Sequence, residues 1–209
     1  MRLEQRDGVW YTIHIHSFGG RGWRRRKGAQ AMDLWEKTIS SQTLFEGKIV
    51  TLKVDQAQLP NGALAGREVV EHPGGVCILP LFDDGTVSVV RQFRYPFQQV
   101  VAELPAGKLE KGEDHRPAAL RELEEEVGAT CGKLTYLGCL YLSPGFSTEV
   151  LHMYLAQELQ QGPSHPDEDE FLETERVPFS TLVQQVLSGE IVDAKTVATV
   201  LKTKLLLGL

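Results

Sequence analysis

Glu122, Glu125 and Glu126, with Arg121 directly before them, are the residues whose types and spacing most plainly offer chemistry. On an α-helix, Glu122 and Glu126 lie about one turn apart and project from the same face; Glu125, near Glu122 on the helix surface, borders it. Like charges at this spacing repel and weaken an isolated helix, so something must compensate them. A hard divalent cation does so naturally: Mg²⁺ takes oxygens from one or two carboxylates and completes its shell with water and phosphate. Arg121 can supply a planar fork that fixes a neighbouring carboxylate. Gly107 lets a backbone carbonyl approach a metal closely, and Gly128 permits a tight exit after the helix. A bare acidic run is more often a solvated helix face. The surrounding residues must decide.

The elements that would position this run can be read from periodicity. A helix is predicted over 117–127, with Leu120, Leu123 and Val127 on one face and the acids on the other. Pro117 suits its first turn and Gly128 the position just past its end. Strands are predicted at 47–55 and 67–72, with turn chemistry at Pro60, Asn61 and Gly62 between them. An apolar run at 76–82, ended by Asp83, Asp84 and Gly85, predicts a hairpin with 86–93 as the partner strand. Further strands follow at 134–142 and 150–157, then an acidic loop at 164–175. Two helices close the chain, over 180–187 and from Asp193 as N-cap to about residue 207. These elements imply one α+β domain around a mixed, largely antiparallel β-sheet, with no internal repeat.

Length and composition agree with that. The 209 residues suffice for one fairly large domain, and 42% hydrophobic residues are enough to bury a core. A net charge of −6 argues against nucleic acid as the main partner. The three cysteines Cys77, Cys131 and Cys139 form no C-x-x-C pair and support neither a disulfide framework nor a zinc site. No apolar run is long enough for a membrane helix, and the first residues alternate charged and apolar types unlike a secretory signal. The expected location is cytoplasmic, with no membrane partner. Residues 1–31 stand apart as a basic extension, carrying Arg2, Arg6, Arg21, Arg24, Arg25, Arg26 and Lys27 against Glu4 and Asp7. This extension is expected to be poorly ordered, or to lie upstream of a true start at Met32.

The flanking residues turn the acidic run into a specific pattern. Gly107, Glu113, Arg121, Glu122, Leu123, Glu125, Glu126 and Gly128 fall on the fixed positions of the Nudix box, G-x5-E-x7-R-E-U-x-E-E-x-G-U, where U is apolar. Ala129 is a small version of the last apolar position. The chain thus resembles the Nudix hydrolases. The resemblance implies an α/β/α sandwich with a mixed sheet over residues 32–209, in which the box helix carries the metal site. It also implies Mg²⁺, with Mn²⁺ as a substitute, held by Glu122, Glu125, Glu126 and the Ala106 carbonyl, with Glu113 and Arg121 as orienting groups.

Features outside the box resemble the ADP-ribose pyrophosphatase branch. Pro144, in Ser143-Pro144-Gly145-Phe146, follows the box at the distance that marks that branch and would stiffen a loop over substrate. The runs Arg91-Gln92-Phe93-Arg94-Tyr95-Pro96, Glu103-Leu104-Pro105-Ala106-Gly107 and Arg67-Glu68-Val69-Val70-Glu71 match its lead-in segments. The resemblance implies Arg67, Glu71, Arg94, Glu103, Pro144 and Gly145 as substrate-binding residues, with the arginines on phosphate. The implied base lies in the acidic loop, with Glu170 first and Glu168 second, and Glu125 is a further catalytic candidate. The implied substrate is ADP-ribose, cleaved to AMP and ribose 5-phosphate; GDP-mannose, ADP-glucose or a catalytically silent ADP-ribose sensor are the alternatives. The branch also implies a homodimer, in which an N-terminal strand packs on the partner.

Overall fold

Apolar side chains at alternating positions build most of the molecule as strands. The structure, a computed structural model, describes residues 2–6, 9–13, 34–165 and 171–209. Arg2–Arg6 (β1) and Val9–Ile13 (β2) pair antiparallel, within the extension expected to carry little order. The basic run 24–27 lies outside the described residues. Lys37–Glu46 (β3), Thr51–Gln58 (β4) and Leu64–Glu71 (β5) form a three-stranded antiparallel sheet. The strand predicted at 47–55 starts later than expected, because the Gly47 N–H donates to the Val50 carbonyl (2.9 Å) and closes the turn between β3 and β4.

Gly75–Pro80 (β6), Thr86–Arg94 (β7), Gln99–Glu103 (β8) and Ala106–Lys108 (β9) follow, with a 3-10 turn at Tyr95–Phe97. Helix α1 spans His115–Val127. Ala129–Tyr141 (β10), Val150–Gln161 (β11), Leu172–Pro178 (β12), Phe179–Ser188 (α2) and Ala194–Leu207 (α3) complete the chain. The central sheet has the order β10-β11-β6-β9 and is mixed, with β11 and β6 parallel and the other pairs antiparallel.

Strand β6 is buried at every position, as its continuous apolar run demands of a strand covered on both faces. Val76 and Ile78 face one way, with Tyr154 and Ala156 of β11, onto Ala118, Ala119, Leu123 and Val127 of α1. Cys77 and Leu79 face the other way, with Leu151, Met153 and Leu155, onto α2 and α3. This is the expected α/β/α sandwich.

Several expectations need correction. The predicted hairpin turn forms, with the Gly85 N–H donating to the Phe82 carbonyl (2.9 Å), and Leu81 bridges to Val87. Beyond that bridge β6 and β7 part into different sheets. The two edges of β6 are already taken by β11 and β9, so β7 pairs with β12 and β8 instead. Among the described residues the strands are therefore divided among four sheets, of which β10-β11-β6-β9 is the mixed one. The acidic loop is shorter than 164–175, since Leu172 to Glu175 zip onto β7 as the start of an edge strand. Charged residues suit such an edge and hid it from hydrophobic periodicity. On α1 the buried set is Ala118, Ala119, Glu122, Leu123, Glu126 and Val127, while Leu120 is 39% exposed. Two of the acids thus share the buried face, contrary to the simple split of apolar and acidic sides.

Candidate active site

The box helix is fixed at its two ends by its own sequence. The Asp114 side chain caps it by accepting the Arg116 N–H (3.0 Å), and Gly128 ends it at φ +67°, donating to the Glu124 carbonyl. Strand β9 runs alongside. A Cβ built on Gly107 would overlap the Glu122 carboxylate, so any larger residue would displace that carboxylate from its place beside β9. The Ala106 N–H donates to Glu126 Oε2 (3.0 Å). Glu122 and Glu126 are 6% and 3% exposed, so β9 presses against two nearly buried carboxylates.

Arg121 holds the acidic cluster together. It donates to Glu113 Oε1 (3.1 Å) and Oε2 (3.0 Å), to Glu122 Oε1 (2.9 Å) and to Glu125 Oε2 (2.8 Å). The fork thereby meets one carboxylate at two points and shares its remaining nitrogen between two others. The hydrogen bonds to Glu113 are the main reason that the guanidinium is pushed above its ordinary pKa. The Arg121 guanidinium in turn holds the Glu113 carboxyl below the usual carboxylate range.

Arg94 and Lys195, each tied to a carboxylate, stand elsewhere on the lining of the same cleft. Arg94 grips Glu103 through two hydrogen bonds, Nε to Oε1 (2.6 Å) and Nη2 to Oε2 (2.7 Å), and Lys195 binds the same carboxylate. Lys195 also donates to Asp193 Oδ1 (2.9 Å), the N-cap of α3. Burial works against the Glu103 charge, but Arg94 and Lys195 outweigh it and hold the carboxyl below its ordinary pKa. Burial likewise opposes the charge on Lys195, which Asp193 and Glu103 more than restore. Arg94, Lys195, Ala106, Arg121, Glu122 and Glu125 line one cavity of about 760 Å³. Lys195 was not among the residues singled out from sequence. Its signal was available: a lysine in the first turn of a helix opposes the helix dipole and needs a local partner.

The structure brings Ala106, Arg94, Glu122 and Glu125 to one cleft, with Glu103 and Glu113 as immediate partners, while Glu126 lies nearly buried behind the lining and meets it through the Ala106 N–H. It places Arg67, Pro144 and Gly145 at a second cavity of about 320 Å³, where Arg67 makes two hydrogen bonds to Glu36 (2.9 and 2.8 Å). The loop 143–149 divides the two spaces, with Ser143 and Glu149 lining the larger and 144–148 the smaller. Glu71 lines neither and pairs with Lys53 (2.5 Å). Glu168 and Glu170 lie outside the described residues.

Among the described residues, no three His, Cys, Asp or Glu side chains are grouped to hold a metal. The donor set nevertheless suits a hard cation. Glu122, Glu125 and Glu126 present carboxylate oxygens from successive turns of one helix, and Arg121 offsets the charges of Glu122 and Glu125. Mg²⁺ asks for only one or two such oxygens.

A family profile described as the NUDIX domain matches residues 71–200, more than half the chain. The chain belongs to the Nudix family. Residues 36–70 match a second profile, the nucleoside diphosphate sugar hydrolase N-terminal domain. This Nudix chain is 47% identical to an ADP-ribose pyrophosphatase of Bacillus subtilis (strain 168), covering 78% of this chain and 89% of that protein. It is 41% identical to a methanol dehydrogenase activator of Bacillus methanolicus, covering 79% and 90%. A third relative, an ADP-ribose pyrophosphatase of Mycobacterium tuberculosis (strain ATCC 25618 / H37Rv), is 39% identical, covering 79% and 81%. Among solved structures, a crystal structure of an ADP compounds hydrolase superposes with a TM-score of 0.75 over 86% of this chain and 97% of that one. At 22% identity that likeness establishes the Nudix fold.

Proposed function

We propose that this Nudix protein hydrolyses the diphosphate bond of ADP-ribose, yielding AMP and ribose 5-phosphate, with Mg²⁺ at the box carboxylates and Mn²⁺ as a substitute. The observation that carries this reading is the cleft itself, which brings Glu122 and Glu125 onto one lining with Arg94 and Lys195. A diphosphate needs cationic groups for its oxygens and a metal for the charge that builds up on cleavage. The similarity to ADP-ribose pyrophosphatases supports ADP-ribose as the first substrate to test.

Glu122, Glu125 and Glu126, with the Ala106 carbonyl, would hold the cation, which supplies neutralisation of the diphosphate and activation of the attacking water. Arg121 and Glu113 orient those carboxylates. Arg94, kept in place by Glu103, meets a phosphate oxygen, while Arg67, Pro144 and Gly145 would serve the part of the substrate that reaches across the loop 143–149; Glu71, paired with Lys53, lines neither cavity. The base takes a proton from the attacking water as the phosphorus–oxygen bond breaks; Glu170 is proposed for this, with Glu168 second and Glu125 as a further candidate. The segment that carries Glu168 and Glu170 follows His165, whose N–H donates to the Glu125 carbonyl (2.9 Å) of the box helix.

The sheet of β3, β4 and β5 supports a homodimer. Every residue of β3 is exposed, including Ile39, Leu44 and Phe45, and a second copy of the chain would cover this apolar surface. Among the described residues no helix is long and apolar enough to cross a membrane, and a cytoplasmic location is proposed.

The test is a product assay with Mg²⁺ over ADP-ribose, ADP-glucose and GDP-mannose. ADP-ribose is expected to give the highest kcat/KM. A higher value for GDP-mannose would replace the substrate assignment, and binding without turnover would make the protein a silent sensor.

A further inference from the structure

Residues 103–106 form a junction between three elements. The Leu104 N–H donates to Thr196 Oγ1 (2.8 Å) in the first turn of α3, and Glu103 is gripped by Lys195 of the same turn. The Pro105 carbonyl accepts from the Ile78 N–H of β6 (2.8 Å). The Ala106 N–H reaches α1 at Glu126 (3.0 Å). Thr196 is fully buried, and its hydroxyl donates to Asp193 Oδ2 (2.6 Å) while accepting from Leu104. The direction of that hydroxyl is therefore fixed at both ends.

We infer that Thr196 is a positioning residue for the metal-binding carboxylate Glu126, acting through Leu104 and the backbone of 104–106. This rests on the metal role proposed above for Glu126. The path is short. Leu104 is 1% exposed and held to α3, and two residues on, the Ala106 N–H fixes one oxygen of Glu126. Removing the hydroxyl leaves the Leu104 N–H buried without its partner, which favours a shift of the link between β8 and β9 toward any other acceptor. Such a shift moves the Ala106 N–H off Glu126. Groups that orient a ligand in this way commonly change metal affinity by about tenfold or more.

Thr203 provides an internal control. It lies two turns further along α3, is equally buried, and its hydroxyl has no hydrogen-bond partner among the described residues. The experiment measures Mn²⁺ affinity by electron paramagnetic resonance without substrate, and the Mn²⁺-dependent rise in Tm, for T196V, T196S and T203V. T196V is expected to weaken Mn²⁺ binding roughly tenfold and to shrink the Tm rise, while T196S, which keeps the hydroxyl, stays near wild type. T203V should leave Mn²⁺ affinity unchanged. If T196V fails to fold, T196A is read in its place. Unchanged affinity in T196V or T196A, a loss in T196S as large as in T196V, or an equal loss in T203V overturns the inference. A wild-type protein that binds Mn²⁺ without hydrolysing ADP-ribose would sink the substrate assignment and leave this positioning role standing; one that binds no Mn²⁺ would sink the metal role and this inference together.

Discussion

Glu122 and Glu126 are 6% and 3% exposed beneath β9, while every residue of β3 faces solvent. The first region is closed on itself: the Arg121 fork, the Ala106 N–H and the α3 cap all come from within one chain. The second is a sheet whose Leu44 and Phe45 are left 55% and 59% exposed among the described residues. The contrast separates two kinds of work. A charged cleft must be held rigid before substrate arrives, whereas an open apolar sheet acquires its packing from another surface.

The largest effect should come from the closed region. Glu126→Gln keeps the side-chain volume and removes the charge, so turnover should fall about a thousandfold, the worth of several kcal/mol of lost charge stabilisation. Circular dichroism should show the fold unchanged. Next comes Arg121→Ala, which leaves Glu113, Glu122 and Glu125 without their common partner. Activity should drop about 10- to 100-fold with a lower Tm, and Lys at this position should not restore it, since an ammonium cannot reproduce the fork.

A third prediction concerns pH. The folded-state pKa of Glu103 is depressed, so its carboxylate stabilises the fold above the unfolded value of about 4.3 and loses that contribution as pH falls through the folded value. Glu103→Gln should therefore lower Tm at pH 7, and the gap from wild type should narrow as pH falls below about 4.3, closing only below the lower folded-state value. A gap that widened in acid would reverse the assigned sign. The smallest effect on turnover should come from the open sheet. Leu44→Ser with Phe45→Ser should convert the proposed dimer to monomer by light scattering while kcat stays within about twofold, because Arg94, Lys195, Glu122 and Glu125 line one cleft from a single chain. A collapse of kcat on dissociation would show that the partner contributes to the site.

The same contrast governs what the sequence disclosed. The box lies within one helix and its lead-in loop, so spacing alone predicted that Glu122 and Glu126 share a face, and Asp193 was legible as the cap of α3 because capping is local. Even there the burial of that face was missed, since periodicity treats an acid as solvent-facing and the small Ala118 and Ala119 carry little apolar signal. Contacts between distant segments were not legible. Lys195 reaches Glu103 across 92 positions, and β7 leaves its hairpin because the β6 edges are already occupied. Arg67 and Arg94 look equivalent as phosphate-seeking arginines, yet the loop 143–149 divides them between two cavities. Strand β3 escaped notice because all its residues are exposed, which leaves no burial pattern to read.

Product release from ADP-ribose by wild type and Glu126→Gln, with and without Mg²⁺, tests the central claim most directly. The account predicts AMP and ribose 5-phosphate in equal amounts from the wild-type protein with Mg²⁺. It predicts almost none when the metal is chelated or Glu126 is neutralised. No AMP from the wild type would contradict it, as would equal rates for the two proteins.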